Sequence, residues 1–390
     1  MARVLLASTL LLGIAAVFGY ACSWDNPVWP KDPRSDTSLF RFVVGVHEKA
    51  KAGYIDAKGH IVIPPSFDAH GNYGYDDFFD GIALVEIGDQ YWYINAKGER
   101  LFRARDSGPF SEHLADFRQG DRFGYLNTHG EAVVSAMFEA ADRFSEGLAA
   151  VQLGRRYGYI DSQGRFVIKP SFGLAFPFKN GFARVIKGIG CLYIGYGPCD
   201  AFNPVVLPFT GLQYRMPTGK EPRCRYSFMD RTGRELSANT YREAKDFSER
   251  TAPVGDGRAW GFIDTNGTTV IPLTYQNAEP FSEGLAAVQV GGKWGYVNHA
   301  GKLVIPATFL AAFPFSEGVA VTMISGWQYE FIDRTGKRAI PTSFTGASSF
   351  VKGLAHVRSG VNYDAATWAY IDHQGNAVFR YDERGPIAQR

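Results

Sequence analysis

The chain is 390 residues long, with a formal net charge of +2, 21% charged residues and 45% hydrophobic ones. That length and apolar content can bury a large core. Lys and Arg are spread along the sequence rather than blocked, which excludes the electrostatic footprint of a nucleic-acid binder.

At the start, Arg3 precedes an apolar run from Val4 to Phe18, followed by Gly19-Tyr20-Ala21-Cys22. A positive start, a short apolar stretch and small residues before a cut make residues 1–21 a secretory signal, too short to span a bilayer comfortably. Two outcomes stay open: cleavage after Ala21, or lipidation of Cys22. Ala21-Cys22 fits the bacterial lipoprotein pattern, while Gly19 and Tyr20 fit it badly. Residues 22–40 carry Pro27, Pro30 and Pro33 among polar residues and read as a semi-rigid tether. The expected location is periplasmic, outer-membrane lipoprotein or secreted, with membrane contact only through that anchor.

Residues 41–381 repeat one sentence. The clearest copies are Trp-Gly-Phe-Ile-Asp-x-x-Gly from Trp260 to Gly267 and Trp-Gly-Tyr-Val-Asn-x-x-Gly from Trp294 to Gly301. Each leads into an apolar run ending in proline (Val270-Ile271-Pro272; Val304-Ile305-Pro306) and then a Phe-Ser-Glu-Gly block at Phe281 and Phe315. The second aromatic recurs at Tyr54, Tyr93, Tyr125, Tyr159, Phe228, Phe262, Tyr296, Phe331 and Tyr370, mostly 32 to 39 residues apart. The interval from Tyr159 to Phe228 is 69 residues, two periods, and Tyr193 with Val205-Val206-Leu207-Pro208 reads as a degraded tenth copy.

Within one copy, Leu285 to Val290, Trp294 to Asn298 and Lys302 to Ile305 have strand composition, separated by short turns, so antiparallel hairpins are expected. The Asx side chain can bond forward to its own backbone, and glycine takes the left-handed conformation without steric cost. The glycines at 124, 158, 261 and 295 each follow an aromatic. A ring lying across the bare backbone is the expected reason, with Trp92 and Glu330 breaking the rule. The predicted unit is a three-stranded meander joined by an irregular segment of about a dozen residues. Propellers use four strands and longer periods, so an all-β curved solenoid is favoured, with a closed propeller-like ring as the alternative. Residues 382–390 are a C-terminal tail.

The Trp260-Gly261 and Trp294-Gly295 pairs, the Asx-x-x-Gly turns and the Phe-Ser-Glu-Gly blocks resemble the WG-containing (KWG-type) repeat family of bacterial proteins. The resemblance covers roughly residues 53 to 379 and implies an all-β repeat protein, with little implied about chemistry.

Residues 187–225 interrupt the array and hold Cys191, Cys199 and Cys224. Export permits disulfides, and no paired Cys-x-x-Cys spacing supports zinc, so these three are disulfide candidates. No cofactor is implied. Ser349-x-x-Lys352 matches a nucleophile spacing but occupies a turn block. The eight histidines, among them His60, His129, His299 and His373, fall at turns and read as solvated. Glu112, Glu146, Glu249, Glu283 and Glu317 recur at one place in the unit, so folding explains them better than a catalytic pair. Trp260, Trp294 and Trp368 read as core between repeats. Trp92 and Trp327 break register and are the aromatic binding candidates. Asp76 and Asp77, with Asn72 and Asp80, are oxygen-rich candidates for binding a cation. Asn266-Gly-Thr268 matches a glycosylation sequon but belongs to a turn.

No catalytic motif is present. The expectation is therefore a non-enzymatic binding or scaffold module meeting a protein or glycan of the cell envelope, with residues 69–77 and 187–225 supplying specificity. The alternatives are a carbohydrate-active enzyme or sugar-binding protein on a propeller-like ring, with converging non-repeated acids, and a plain structural spacer.

Overall fold

The computed structural model describes residues 39–46, 49–69, 77–88, 90–104, 106–188, 224–360 and 366–387. The repeat folds as small antiparallel sheets. In the clearest unit four strands follow in order: inner Asn277–Ala278, second Leu285–Val290, third Lys293–Asn298 and outer Leu303–Phe309. Expecting three strands undercounted the unit. The segment read as irregular supplies the inner strand, because Glu279 donates to Ala287 and Ser282 exchanges backbone bonds with Leu285. Turns of two to four residues leave room for four strands in about 34 residues.

Among the described residues, nine units of three or four strands are distributed over eight hydrogen-bonded sheets, since the first sheet holds two meanders joined by the single pair Asp68↔Glu86. Tyr193 and the stretch to Pro208 lie outside the described residues. The hairpin they interrupt is nevertheless continuous: Phe182–Ile186 pairs directly with Tyr226–Asp230, Ile186 opposite Tyr226. Residues 187–225 are thus an insertion inside one unit.

The units close on themselves. Turn glycines face the preceding unit's outer strand: Gly301 meets Ile271, Gly336 meets Ile305 and Gly375 meets Ile340. Gly59, in the first unit, meets Val378 in the last. Phe40, Phe42 and Ile55 share one core cluster with Leu354, Tyr370, Phe379 and Tyr381, and the Tyr370 hydroxyl donates to the Arg41 carbonyl at 2.5 Å. The expected open solenoid is overturned. The sheets form a β-propeller, the ring held as the alternative, and strand undercounting is why the period pointed away from it.

Each joint between units is filled by two rings. Tyr296 is fully buried, edge-on to Phe315 at 5.0 Å, and its hydroxyl donates to the Phe313 carbonyl at 2.8 Å. Tyr125, Tyr159 and Tyr93 repeat this with Phe144, Phe178 and Phe110. Each buried ring contributes about 1.5–3 kcal/mol, and the bonded hydroxyl avoids an unsatisfied polar tip. Outer strands face solvent, with Val133, Val167 and Val270 exposed. Pro170, Pro272 and Pro306 remove edge donors there, which guards against strand addition.

The strand glycine has a different cause from the one expected. A Cβ at Gly295 would lie 2.6 Å from the Ile305 carbonyl oxygen, and one at Gly261 2.5 Å from that of Ile271. What crosses the glycine is the backbone of the outer strand, not an aromatic ring. At Gly53, Gly124, Gly158, Gly261 and Gly295 the third and outer strands shift register twice, a bulge that needs the bare backbone. Where Trp92 or Ala369 stands instead, the ladder runs past that residue without the extra shift. Where Ser227 or Glu330 stands, the outer strand is reduced to isolated bridges.

Candidate functional site

The two ends of the ring differ. Antiparallel order places inner–second and third–outer turns at one end, and second–third hairpins and outer-to-inner crossings at the other. The first end is uniform. Eight inner–second turns are two-residue hairpins, with the first turn residue at φ 48 to 56°, as at Glu283 and Glu317. Both turn residues are left-handed, the arrangement of a type I′ hairpin. The third–outer turns are Asx-x-x-Gly throughout: Asp264 Oδ1 accepts from the Asn266 and Thr268 amides at 2.9 Å, with Gly267 at φ 77°. That bonding also accounts for Asn266 without glycosylation. At Asp333, the Thr335 hydroxyl and the turn amides hold the carboxyl below its ordinary range.

The repeated carboxylates form a belt at this end. Glu112 accepts from Glu146 and Gly147, Glu146 from Gly181, Glu249 from Gly284, Glu283 from Gly318 and Glu317 from Gly353. Ser145, Ser282 and Ser316 donate to the Phe carbonyl of the next block, each at 2.6 Å. The folding explanation therefore accounts for the glutamates, and Lys352 takes the same left-handed turn position as they do. His299 and His373 are more engaged than a solvated turn residue. They stack on Phe281 and Phe350 at 4.0 and 4.1 Å and meet Glu249 and Glu317.

The opposite end is variable. Its hairpins span two residues at Gly291-Gly292, six at 45–50, seven at 360–366 and thirty-nine at 187–225. The lengthened crossing at residues 69–77 leaves from the same end. Trp327 is a hairpin tip here, 39% exposed with φ 63°. Between the fourth and fifth units, a groove of about 490 Å³ is lined by Arg156, Lys169, Ser171, Phe172, Lys187 and Glu235, with Ile168 and Gly233 at its far end.

The remaining candidates scatter. Trp92 is partly buried on a third strand, with the Arg100 guanidinium 5.3 Å from its ring. Asp77 lies just ahead of the two-residue turn bridged by Phe79 and Ile82, and its charge acts on Tyr370 of the last unit. Asp80 accepts from the His113 amide in the belt. No metal-holding cluster exists among the described residues. Asp76, Asn72, Cys22, Cys191 and Cys199 lie outside the described residues, and Cys224, just before a third strand, is disulfide-bonded. Trp260, Trp294 and Trp368 are half-buried against the core clusters of their units.

One set of residues escaped the sequence reading. The middle of the second strand is small or apolar at Ala150, Ala287 and Pro253, but it is Arg41, Asp116, Arg184 and His356 in four units. Arg184 binds Asp246 of the next unit at 2.7 Å, donates to the Ala244 carbonyl, and lies 4.4 Å over Phe176. Burial pushes the Asp116 carboxyl up, opposed by Arg143 of the next unit. At the equivalent place the next inner strand carries Pro177, Pro280 or Pro314 beyond the apolar cases, but Arg143 beyond Asp116 and Asp246 beyond Arg184. His356 is stacked among Trp368, Tyr370 and Tyr381 and bonded to Tyr381 at 2.7 Å; burial holds its imidazole down at about 3. The legible signal was a charge standing where the repeat writes alanine.

No curated protein matches the chain. Among solved structures, the crystal structure of the eukaryotic initiation factor is similar over 90% of this chain and 98% of that one, at 11% identity and TM-score 0.57. The computationally designed Ika8 protein (12% identity, 72% and 91% covered) and BamB from Moraxella catarrhalis (10%, 79% and 87%) give TM-scores of 0.42 and 0.37. At such identity the first likeness is one of fold. The WG containing repeat model matches residues 53–91, 123–156, 157–188, 260–294 and 294–326. With five copies matched and the same turn and strand positions carried in register between them, the chain belongs to the WG-containing repeat family.

Proposed function

We propose that this propeller is an exported, non-enzymatic binding module of a bacterial cell envelope, meeting its protein or glycan partner through the variable end of the ring. The observation that carries this reading is the segregation of length change. Among the described residues, turns at one end keep a fixed length, while every lengthened hairpin and crossing leaves from the other. Folding constrains the first end through the glutamate belt; the second is free to specialise. The enzymatic alternative required converging, non-repeated acids. The non-repeated acids described above face arginines, Asp246 tied to Arg184 and Asp116 opposed by Arg143. That is the setting of a structural ion pair, which speaks for binding over hydrolysis.

The tether and Cys22 lead into the ring at Phe40, whose partner Ile55 precedes a uniform-end turn. Photo-crosslinkers at Trp327 and at Lys58, on opposite ends, test the reading in envelope preparations. Crosslinks from Trp327 and none from Lys58 are expected, and the reverse pattern overturns it. Fatty-acid labelling with and without Cys22→Ser tests the anchor.

A further inference from the structure

We propose that the groove between the fourth and fifth units binds an acidic saccharide, a pyranose chain bearing carboxylates; this rests on the binding-module reading and names its ligand class. The groove runs along the outer strand Phe166–Phe172 and ends at the variable end, where Lys187 begins the long insertion. Three cations line it against one carboxylate. Lys187 pairs with Glu235 at 2.7 Å, while Arg156 and Lys169 meet no carboxylate among the described residues. The Arg156 guanidinium donates to the Ser171 carbonyl, which fixes its position and leaves donors for a ligand.

Size and surface decide the class. About 490 Å³ falls within the range of organic-ligand sites and far exceeds what a single oxyanion fills. The methylene stems of Arg156, Lys169 and Lys187 give apolar surface for the C–H face of a sugar ring, over a floor formed by the buried Ile168 and Phe172. An acidic peptide is the competing occupant. It would dock best as an added strand on the outer edge, and Pro170 sits in that edge, where it lacks a donor and blocks pairing. A saccharide needs no such ladder. No other joint assembles the same three cations: at the equivalents of Arg156 and Lys169 the seventh unit has Lys293 and Pro306.

The test is calorimetry on the full chain with trigalacturonate, its neutral counterpart trigalactose, hexaglutamate and inorganic phosphate. Trigalacturonate should bind at least tenfold more tightly than the other three and weaken with salt. Arg156→Gln with Lys169→Gln should lower its affinity at least tenfold. Lys169 is exposed, so Lys169→Glu alone keeps the test usable if the double variant loses stability. Equal binding of trigalactose, hexaglutamate or phosphate overturns the proposal, as does unchanged trigalacturonate affinity in Lys169→Glu. Loss of the groove's ligand with Trp327 crosslinks retained sinks the groove alone. Loss of those crosslinks with trigalacturonate still bound sinks the proposed working face instead.

Discussion

Replacing Gly295 by alanine probes the physical reason for the motif's glycine. The added methyl would sit 2.6 Å from the Ile305 oxygen, 2.7 Å from the Ala307 nitrogen and 2.8 Å from the Ala307 Cα. All three are backbone atoms, so no side-chain rotation relieves the contact. The outer strand must move, and Pro306 stiffens it at that point. Straightening the bulge would displace Phe309, 8% exposed, from the joint it fills. Overpacking of this kind costs about 1–3 kcal/mol. Gly326→Ala is the control, since nothing lies within 4 Å of that glycine and its backbone is not left-handed; its change should stay within about 0.5 kcal/mol. Thermal midpoints, with hydrogen exchange at the Tyr296 and Phe309 amides, read both variants. Faster exchange confined to the seventh unit and a lowered midpoint are expected for Gly295→Ala. Equal midpoints for the two variants would refute the bulge argument.

Other expectations concern the belt and the closing joint. Glu283→Ala removes the carboxylate that Gly318 meets at 3.0 Å but keeps a left-handed residue, so it should lower stability by about 0.5–1.5 kcal/mol. Glu283→Gly also relieves the backbone and should recover about 1 kcal/mol of that; a melt showing the glycine variant as the weaker would contradict the strain assigned to the turn. Tyr370→Phe deletes the bond to the Arg41 carbonyl and should speed exchange in Phe40–Val44 while leaving Leu285–Val290 unchanged. His356 has its folded pKa held down at about 3, below an ordinary value near 6.5, so its contribution is complete above about pH 6.5 and is lost as pH falls toward 3. His356→Phe keeps a ring in the stack and should flatten the decline of the thermal midpoint over that window; an unchanged acid slope would show that the imidazole is not what loosens the seam.

What was legible in the chain follows from local chemistry. The Asx-x-x-Gly turns read correctly because the side chain, the amides it caps and the glycine all lie within five residues, as at Asp264 to Thr268. The glutamate row could be assigned to folding by its repetition alone. The inner strand was not legible: Asn277–Ala278 is two residues long, continues the previous outer strand almost directly, and is followed by Pro280 and the Ser282-Glu283-Gly284 turn instead of an alternating run. Missing it turned a ring into an array. The cause of the strand glycine was hidden for a related reason, because a bulge is a relation between two strands and neither strand's sequence states it. The charged joints were visible as exceptions to alanine at Asp116 and Arg184, yet their meaning needs the neighbouring unit, and for Arg184 that partner is 62 residues away.

A single distance tests ring closure most directly. Labels at Lys58 and Gln374 occupy exposed turns of the first and last units, which closure makes neighbours through Gly59 and Val378. Sheets that pack face to face lie about 10 Å apart, so the labels should fall within roughly 25 Å of one another in solution. Nine units stacked in an open line would hold them about 80 Å apart, and a distribution centred there would contradict the propeller.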